Sequence, residues 1–440
     1  MIQTDLIEKF AELPAFLSLL EKLEKREPVV FLPNIPIQVT PFLAVLLQKK
    51  LSGSTIVLVA DGLKTQDRLH RDVETWLCYF SPLNHSEPET EQSLFFPSWG
   101  VLPQDYKLPH VDVLADRLNS LSKLLHQKNQ NCNSNNHSDR IHENRIVVSS
   151  IQALLERTFS PEELSLRTKL ITTNDTADPL QLIEWLDKQA YDPVAKVTQK
   201  GEFALRGGIL DVYPLTSPWP IRIEFFGNQV ESIREFDPYD QRSRGDKNEV
   251  LLTPAGEPGL LRRKIIIPSG EQKHTKQAKD VNDECLNLPP GHLSDYFCPQ
   301  AVLIFSSYEE IEEAALNFSE KLNNLPDPLY LTHDQFFEML NQKGIQIIQC
   351  SELDNSTHTN INKCDFQVEN IEHYFPTNIS VTEKNLPEIR QQEALEQIHR
   401  WLRQGNKVTV FCNNEGEKSR FLEIWSELQT GKTLIQSPET

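Results

Sequence analysis

Between residues 201 and 240 the chain reads GEFALRGGILDVYPLTSPWPIRIEFFGNQVESIREFDPYD, and its apolar positions keep a two-residue beat. Phe203 and Leu205, then Ile221, Ile223 and Phe225, alternate with other residues, while Val230, Ile233 and Phe236 continue the signal in looser time. Turn formers interrupt it at Gly207-Gly208, Pro214, Pro218, Pro220 and Gly227-Asn228. This pattern predicts a small antiparallel meander with one buried face. With Ile221, Ile223 and Phe225 inside, the opposite parity points Arg222, Glu224 and Phe226 outward, and Arg206, out of phase with Phe203 and Leu205, joins them. Arginines and an aromatic ring on one solvent face are the residue types that concentrate binding energy in protein interfaces. The blander alternative pairs such an arginine with a strand neighbour such as Glu224 and tucks one ring of the Phe225-Phe226 pair under a loop.

The rest of the chain alternates helical and strand-like patterns. Leu6, Phe10, Leu13, Phe16, Leu19, Leu20 and Leu23 recur at helical spacing, with Pro14 kinking or splitting that segment. Short apolar runs at 28–32 and 55–60 read as buried strands, with a helix in TPFLAVLLQKKL between them and further strands at 93–96 and 145–149. Before the last of these comes a helix carrying Leu114, Leu118, Leu121 and Leu125 on one stripe. Strands alternating with helices imply a parallel, doubly wound α/β sheet. Residues 127–144 are polar and asparagine-rich, a surface insertion without chemistry. A helix at 179–190 precedes the meander. Strands are expected at 251–254, 264–267 and 301–305, with a lysine-rich stretch between the last two. Toward the end, a helix closed by Gly405, a strand at 407–411, a helix through Trp425 and a strand at 433–436 leave a βα pattern still running where the sequence stops.

At 440 residues the chain is long enough for about three domains. Its net charge of −19 argues against a surface dominated by phosphate-neutralising residues, although it leaves room for a local basic patch. In the meander, Arg206, Arg222, Arg234, Arg242 and Arg244 are nearly balanced by Asp211, Glu224, Glu231, Glu235 and Asp237, which favours a protein partner over a phosphate groove. The seven cysteines are scattered, with no CxxC pair, so neither a disulfide framework nor a zinc site is expected. The amphipathic, mixed-charge start is unlike a signal peptide and no run could span a bilayer, so a cytoplasmic protein with no membrane partner is expected.

Candidate chemistry is sparse. A parallel sheet invites a phosphate-binding loop after its first strand, where glycine-flanked N–H groups and a lysine would wrap the phosphates. Residues 32–41, LPNIPIQVTP, hold no glycine, no lysine and three prolines that lack the required donors. Thr430-Gly-Lys-Thr433 copies the tail of such a motif, but Ser426 stands where its first glycine belongs and a helix precedes it. His110, Asp112 and Asp116 lie near a helix start, where acids meet the helix dipole and Asp116 can pair with Arg117 or Lys123; a single histidine does not make a metal shell. The expectation is no catalytic residue, no cofactor, no metal and no enzyme activity.

Longer motifs carry a resemblance. FFPSWGVLPQDYKLPHVDVLADRLNSL, IVVSSIQALLER and the 201–243 stretch resemble the amino-terminal part of the bacterial transcription-repair coupling factors (Mfd), itself a degenerate copy of the excision-repair protein UvrB. The similarity resumes at LLTPAGEPG, at LSDYFCPQAVLIFSSYEEIEE and at NLPEIRQQEALEQIHRWLRQGNKVTVFCNNEGEKSRFLEIW. It implies a degenerate helicase-like domain 1A over residues 1–155 and an inserted α+β domain 2 over 156–245. A domain 1B-like segment over 246–325 and a small, truncated α/β domain 3 over 326–440 would follow. The family's contacts to UvrA would fall on Arg206, Arg222 and Phe226. The implied function is a non-catalytic, UvrA-recruiting module of nucleotide excision repair. A separate Mfd-type motor chain is a possible further partner, with RNA polymerase and DNA reached only indirectly. Unlike full-length members, the sequence stops before the polymerase-binding and motor domains, as a fragment or one half of a split system would. Alternatives from other classes are a UvrB-like DNA-dependent ATPase and a DNA-binding architectural piece.

Overall fold

In the computed structural model the described residues are 8–51, 53–80, 93–102, 107–133, 145–261, 288–298, 300–323, 327–353, 362–366, 368 and 386–431. The apolar runs become interior strands: β1 (Val29–Leu32), β2 (Thr55–Ala60), β3 (Leu94–Phe96) and β4 (Arg145–Ser150). The chain then leaves this sheet for β5 (Lys169–Thr172), β6 (Asp192–Pro193), β7 (Glu202–Arg206), β8 (Ile209–Val212), β9 (Ile221–Phe226), β10 (Gln229–Phe236), β11 (Ser243–Lys247) and β12 (Glu249–Leu252). It returns for β13 (Val302–Phe305), β14 (Gln346–Cys350) and β15 (Asn362–Lys363).

The result is a mixed α/β protein built on a seven-stranded sheet ordered β15-β1-β14-β13-β2-β4-β3, parallel at every pairing. Strand β2 shows why both sides are covered. Val57 and Val59 enter one apolar core, while Ile56, Leu58 and Ala60 enter the other. Helices Pro14–Glu24, Thr40–Lys50 and Leu63–Phe80 cover the second side; Val111–Asn133, Tyr308–Asn323 and His333–Gln342 cover the first. The doubly wound sheet expected from strand–helix alternation is therefore present. Among the described residues no helix is long and apolar enough to cross a membrane.

Strand pairing brings distant parts of the sequence together. β13 pairs with β2 on one side and β14 on the other, and β14 pairs with β1. β13, β14 and β15 thus join one sheet with strands from residues 1–155, because parallel neighbours need long crossovers that bring distant sequence together. β12 pairs antiparallel with β5, from Glu249 opposite Thr172 to Leu252 opposite Lys169. Residues 407–411 form no strand. Phe411 instead packs its ring 4.2 Å from Trp76 and 5.0 Å from Tyr79, and Asn413 bonds Thr75 and Asp72 at 2.7 and 2.8 Å. Helix Val111–Asn133 runs into the polar stretch expected to be an insertion; residues 134–144, like the strands expected at 264–267 and 433–436, lie outside the described residues.

A buried charge network ties the inserted unit to the large sheet. Arg117 turns inward rather than toward Asp116. Its Nε donates to Glu257 at 2.7 Å, and its Nη1 donates to Glu156 and to the Pro97 carbonyl, both at 2.8 Å. The Trp99 indole N–H and the Thr158 hydroxyl complete Glu257 at 2.9 and 2.5 Å, and Ser98 donates to Glu156 at 2.7 Å. The guanidinium also lies 4.2 Å from the Phe96 ring centroid. All three charged side chains are fully buried. Two carboxylates share one guanidinium, and burial pushes Glu156 up to about 7. The network joins the FFPSWG and LLTPAGEPG segments, which are 158 residues apart at the Trp99–Glu257 bond.

Candidate functional site: the outer face of the meander

β6 to β11 form a six-stranded sheet ordered β11-β10-β9-β8-β7-β6. Its inner face buries Phe203, Leu210, Val212, Ile221, Ile223, Phe225, Val230 and Ile233 against Leu182 and Leu186 of helix Pro179–Lys188. The loose timing along β10 has a cause: a bulge between Val230 and Ser232 inserts Glu231 into the alternation. By Phe236 the parity has reversed, and that ring joins the outer face.

Tight turns fix the register. Gly207 and Gly227 adopt φ of +62° and +63°, which suits glycine at hairpin tips. At Gly208 a Cβ would stand 2.8 Å from the Phe225 carbonyl oxygen, so the backbones of β8 and β9 approach only because no side chain is there. The resulting ladder sets Arg206 opposite Ile209, Ile209 opposite Glu224 and Glu224 opposite Ser232. Beside that row it sets Ala204, Asp211, Arg222 and Arg234, and Phe226 faces Gln229. Arg206, Arg222 and Phe226 therefore share one face, as the two-residue period requires.

Their states differ sharply. Phe226 is 79% exposed beside the hairpin tip, with Ile209 38% exposed on the neighbouring strand. Arg206 is exposed and donates one Nη2 hydrogen bond to the Ala195 carbonyl. Arg222 is clamped. Its Nε and Nη2 bind the two oxygens of Asp211 at 2.7 and 2.9 Å, and its guanidinium lies 4.6 Å from the Phe236 ring centroid. The strand-neighbour pairing weighed for such arginines is thus realised, with Asp211 in place of Glu224. Glu224 itself binds Arg234, whose guanidinium holds the carboxyl below its ordinary range, and accepts from Ser232 at 2.9 Å. Val197, Ala204 and Phe236 form a small second core on this face, and Ile209 and Phe226 are the exposed large apolar residues on its strands.

The loop at 32–41 was the other place to look for chemistry. Several of its donors close on the protein: Ile35 N–H reaches the Ser351 carbonyl at 2.9 Å and Val39 N–H the Pro36 carbonyl at 2.9 Å. The Ile37 N–H points at the Glu352 carboxylate, 3.4 Å away. Thr40 donates its hydroxyl to the Ile37 carbonyl at 2.8 Å, and the helix it begins is buried over most of its length. Near His110, Asp112 approaches at 3.4 Å. Among the described residues no group of three or more His, Cys, Asp or Glu is placed to hold a metal ion.

Comparison with known proteins places similarity over the unit that carries this face. Residues 170–257 match the family described as the UvrB interaction domain, a span running from β5 through the meander to the Glu257 of the buried network. The transcription-repair-coupling factor of Haemophilus influenzae is 31% identical over 174 residues, covering 39% of this chain and 14% of the relative. That of Bacillus subtilis is 32% identical over 204 residues, 43% of this chain and 17% of the relative. That of Rickettsia conorii is 28% identical over 332 residues, 74% of this chain and 26% of the relative. The chain thus spans a minor part of the length of the curated relatives it matches.

Proposed function

Because this chain is an Mfd-like module carrying a UvrB interaction domain, we propose that it acts in DNA repair by binding UvrA through the outer face of the six-stranded sheet. The observation that carries the proposal is Phe226, an aromatic side chain 79% exposed on a hairpin whose register is fixed by its turns. A large ring left in water on a rigid support costs little to order on binding and gains by desolvation when a pocket receives it. Arg206 supplies the charge. Its remaining guanidinium N–H groups can donate to a carboxylate on the partner, the strongest class of neutral-pH hydrogen bond. Arg222 contributes differently from a free donor: clamped by Asp211 and stacked on Phe236, it stiffens the strand that presents Phe226 and offers only its outer edge.

The module works as a recruiter without catalysis of its own. The loop at 32–41 supports this reading, since the Ile35, Ile37 and Val39 N–H groups face acceptors within the protein where a nucleotide site would need them turned toward phosphate. Motor action, contact with RNA polymerase and any pairing with a separate motor chain belong to the wider system in which such a module operates. The test is a titration of UvrA onto the immobilised chain without nucleotide or DNA. Saturable binding is expected. Its absence at micromolar UvrA would overturn the proposal.

A further inference from the structure

Phe226 has a counterpart at the other end of the six-stranded sheet. Tyr239, in the loop between β10 and β11, is 88% exposed. A single exposed ring is ordinary, so the way this one is held decides its meaning. The Tyr239 N–H donates to the Asp237 carboxylate at 2.9 Å, and the Tyr239 carbonyl accepts from Lys196 Nζ at 3.1 Å. The Gln241 N–H reaches the Asp237 carbonyl at 2.8 Å, and the Asp237 N–H reaches the Arg242 carbonyl at 2.9 Å. The Gln241 side-chain amide donates to the Pro238 carbonyl at 2.9 Å. These bonds fix the backbone on both sides of Tyr239 and leave the ring in water, so little loop entropy remains to be lost when a partner covers it.

The loop belongs to the docking face. Phe226 lies opposite Gln229, the first residue of β10, and the loop follows Phe236, the last. The eight residues of β10, at about 3.3 Å each, set the two ends roughly 26 Å apart. A standard interface of about 800 Å² per partner is roughly 30 Å across, so one partner can cover both. Residues 195–197 link the ends over the outer side of the sheet. Arg206 donates to the Ala195 carbonyl, Val197 is buried with Ala204 and Phe236, and Lys196 reaches the loop.

The charges along this line are unequal. Lys196 and Arg206 are both exposed, and among the described residues each donates to a backbone carbonyl and has no carboxylate partner. The carboxylates of Asp211, Glu224 and Asp237 are each engaged by an arginine of the same sheet. Two open cations between two rings, in a chain of net charge −19, suit carboxylates brought by the partner.

We propose that Tyr239 is a second anchor of the docking face, and that the partner lays an acidic segment from Phe226 to Tyr239 with its carboxylates against Arg206 and Lys196. The inference rests on the reading that this face binds UvrA, and it adds how far the contact reaches and what chemistry the partner presents.

The test is the affinity of UvrA for the full chain and for Phe226→Ala, Tyr239→Ala, Tyr239→Phe and Lys196→Gln, each at two salt concentrations. The bonds that hold the loop at Tyr239 are made by its backbone, so truncating the ring is expected to leave the fold intact. Tyr239→Ala should weaken binding about tenfold and Tyr239→Phe much less, while Lys196→Gln should flatten the salt dependence. Wild-type affinity in Tyr239→Ala beside weakened binding in Phe226→Ala would overturn the second anchor and leave the docking face standing. An unchanged salt dependence in Lys196→Gln would overturn the acidic segment. No binding of UvrA to the wild-type chain would overturn both readings. Self-association that Tyr239→Ala abolishes, with UvrA affinity unchanged, would assign the ring to a second copy of the chain and overturn the proposal.

Discussion

Arg222 and Phe226 stand four positions apart on β9 and face the same side of the sheet, yet Arg222 is locked onto Asp211 at 2.7 Å while Phe226 is 79% exposed. One residue holds the surface together and the other is presented by it. That division of labour makes the two separable by experiment.

Arg222→Ala should destabilise the protein. It leaves the buried Asp211 carboxylate without its counter-ion and removes the cation stacked on Phe236, a loss of about 2 kcal/mol for a pair that keeps one edge in solvent. Phe226→Ala removes a side chain that contributes little to the core and should shift stability by less than about 0.5 kcal/mol. Urea denaturation of the two variants reads the difference directly. Equal effects would mean that the clamp carries no structural weight.

The buried network should be intolerant of losing its cation. Arg117→Met leaves Glu156 and Glu257 facing each other without compensation, at a cost of about 3–5 kcal/mol. Adding Glu156→Gln and Glu257→Gln to Arg117→Met should recover part of that loss, because the uncompensated charge goes with them. A triple variant no more stable than the single one, measured by thermal or urea unfolding, would contradict this account.

Glu156 and His292 should impose opposite pH dependences. Glu156 sits at about 7 in the folded protein against an ordinary 4.5, so between those values the folded state binds more protons and stability rises as pH falls. His292 is buried, accepts from the Ser294 N–H at 3.1 Å through Nδ1, and lies 2.7 Å from the Leu154 carbonyl through Nε2. Burial lowers it to about 4 from 6.5, so there the unfolded state binds more protons and stability falls as pH falls. Each full effect is worth about 3 kcal/mol. Glu156→Gln should therefore lose stability more steeply than wild type as pH drops from 7 to 5, as followed by urea midpoints at each pH. Parallel curves for the two proteins would rule out this assignment.

Much of this was legible in the residues. The period-two beat from Phe203 to Phe225 gave the outward parity of Arg206, Arg222 and Phe226, because alternation in a strand leaves a side chain only two directions. What it withheld was register. Asp211 lies opposite Arg222 through the tight turn at Gly207-Gly208 and the loop between β8 and β9, and no local pattern specifies which residues end up side by side. No strand was expected at β14, whose two isoleucines are bracketed by glutamines; Gln346 is buried with its amide donating to the Leu23 and Glu27 carbonyls at 3.1 and 3.0 Å. Arg117 was read as a neighbour for Asp116, whereas its partners lie 39 and 140 residues away. Residues 407–411 had the apolar content of a strand but pair with none, and Phe411 packs on Trp76.

The central claim is that one exposed ring anchors a partner protein. It is tested most directly by the affinity of UvrA for the Phe226→Ala variant, compared with wild type under conditions where both are folded. The account predicts a loss of about 2 kcal/mol, roughly thirtyfold in Kd, with unchanged stability. Binding at the wild-type affinity would contradict it.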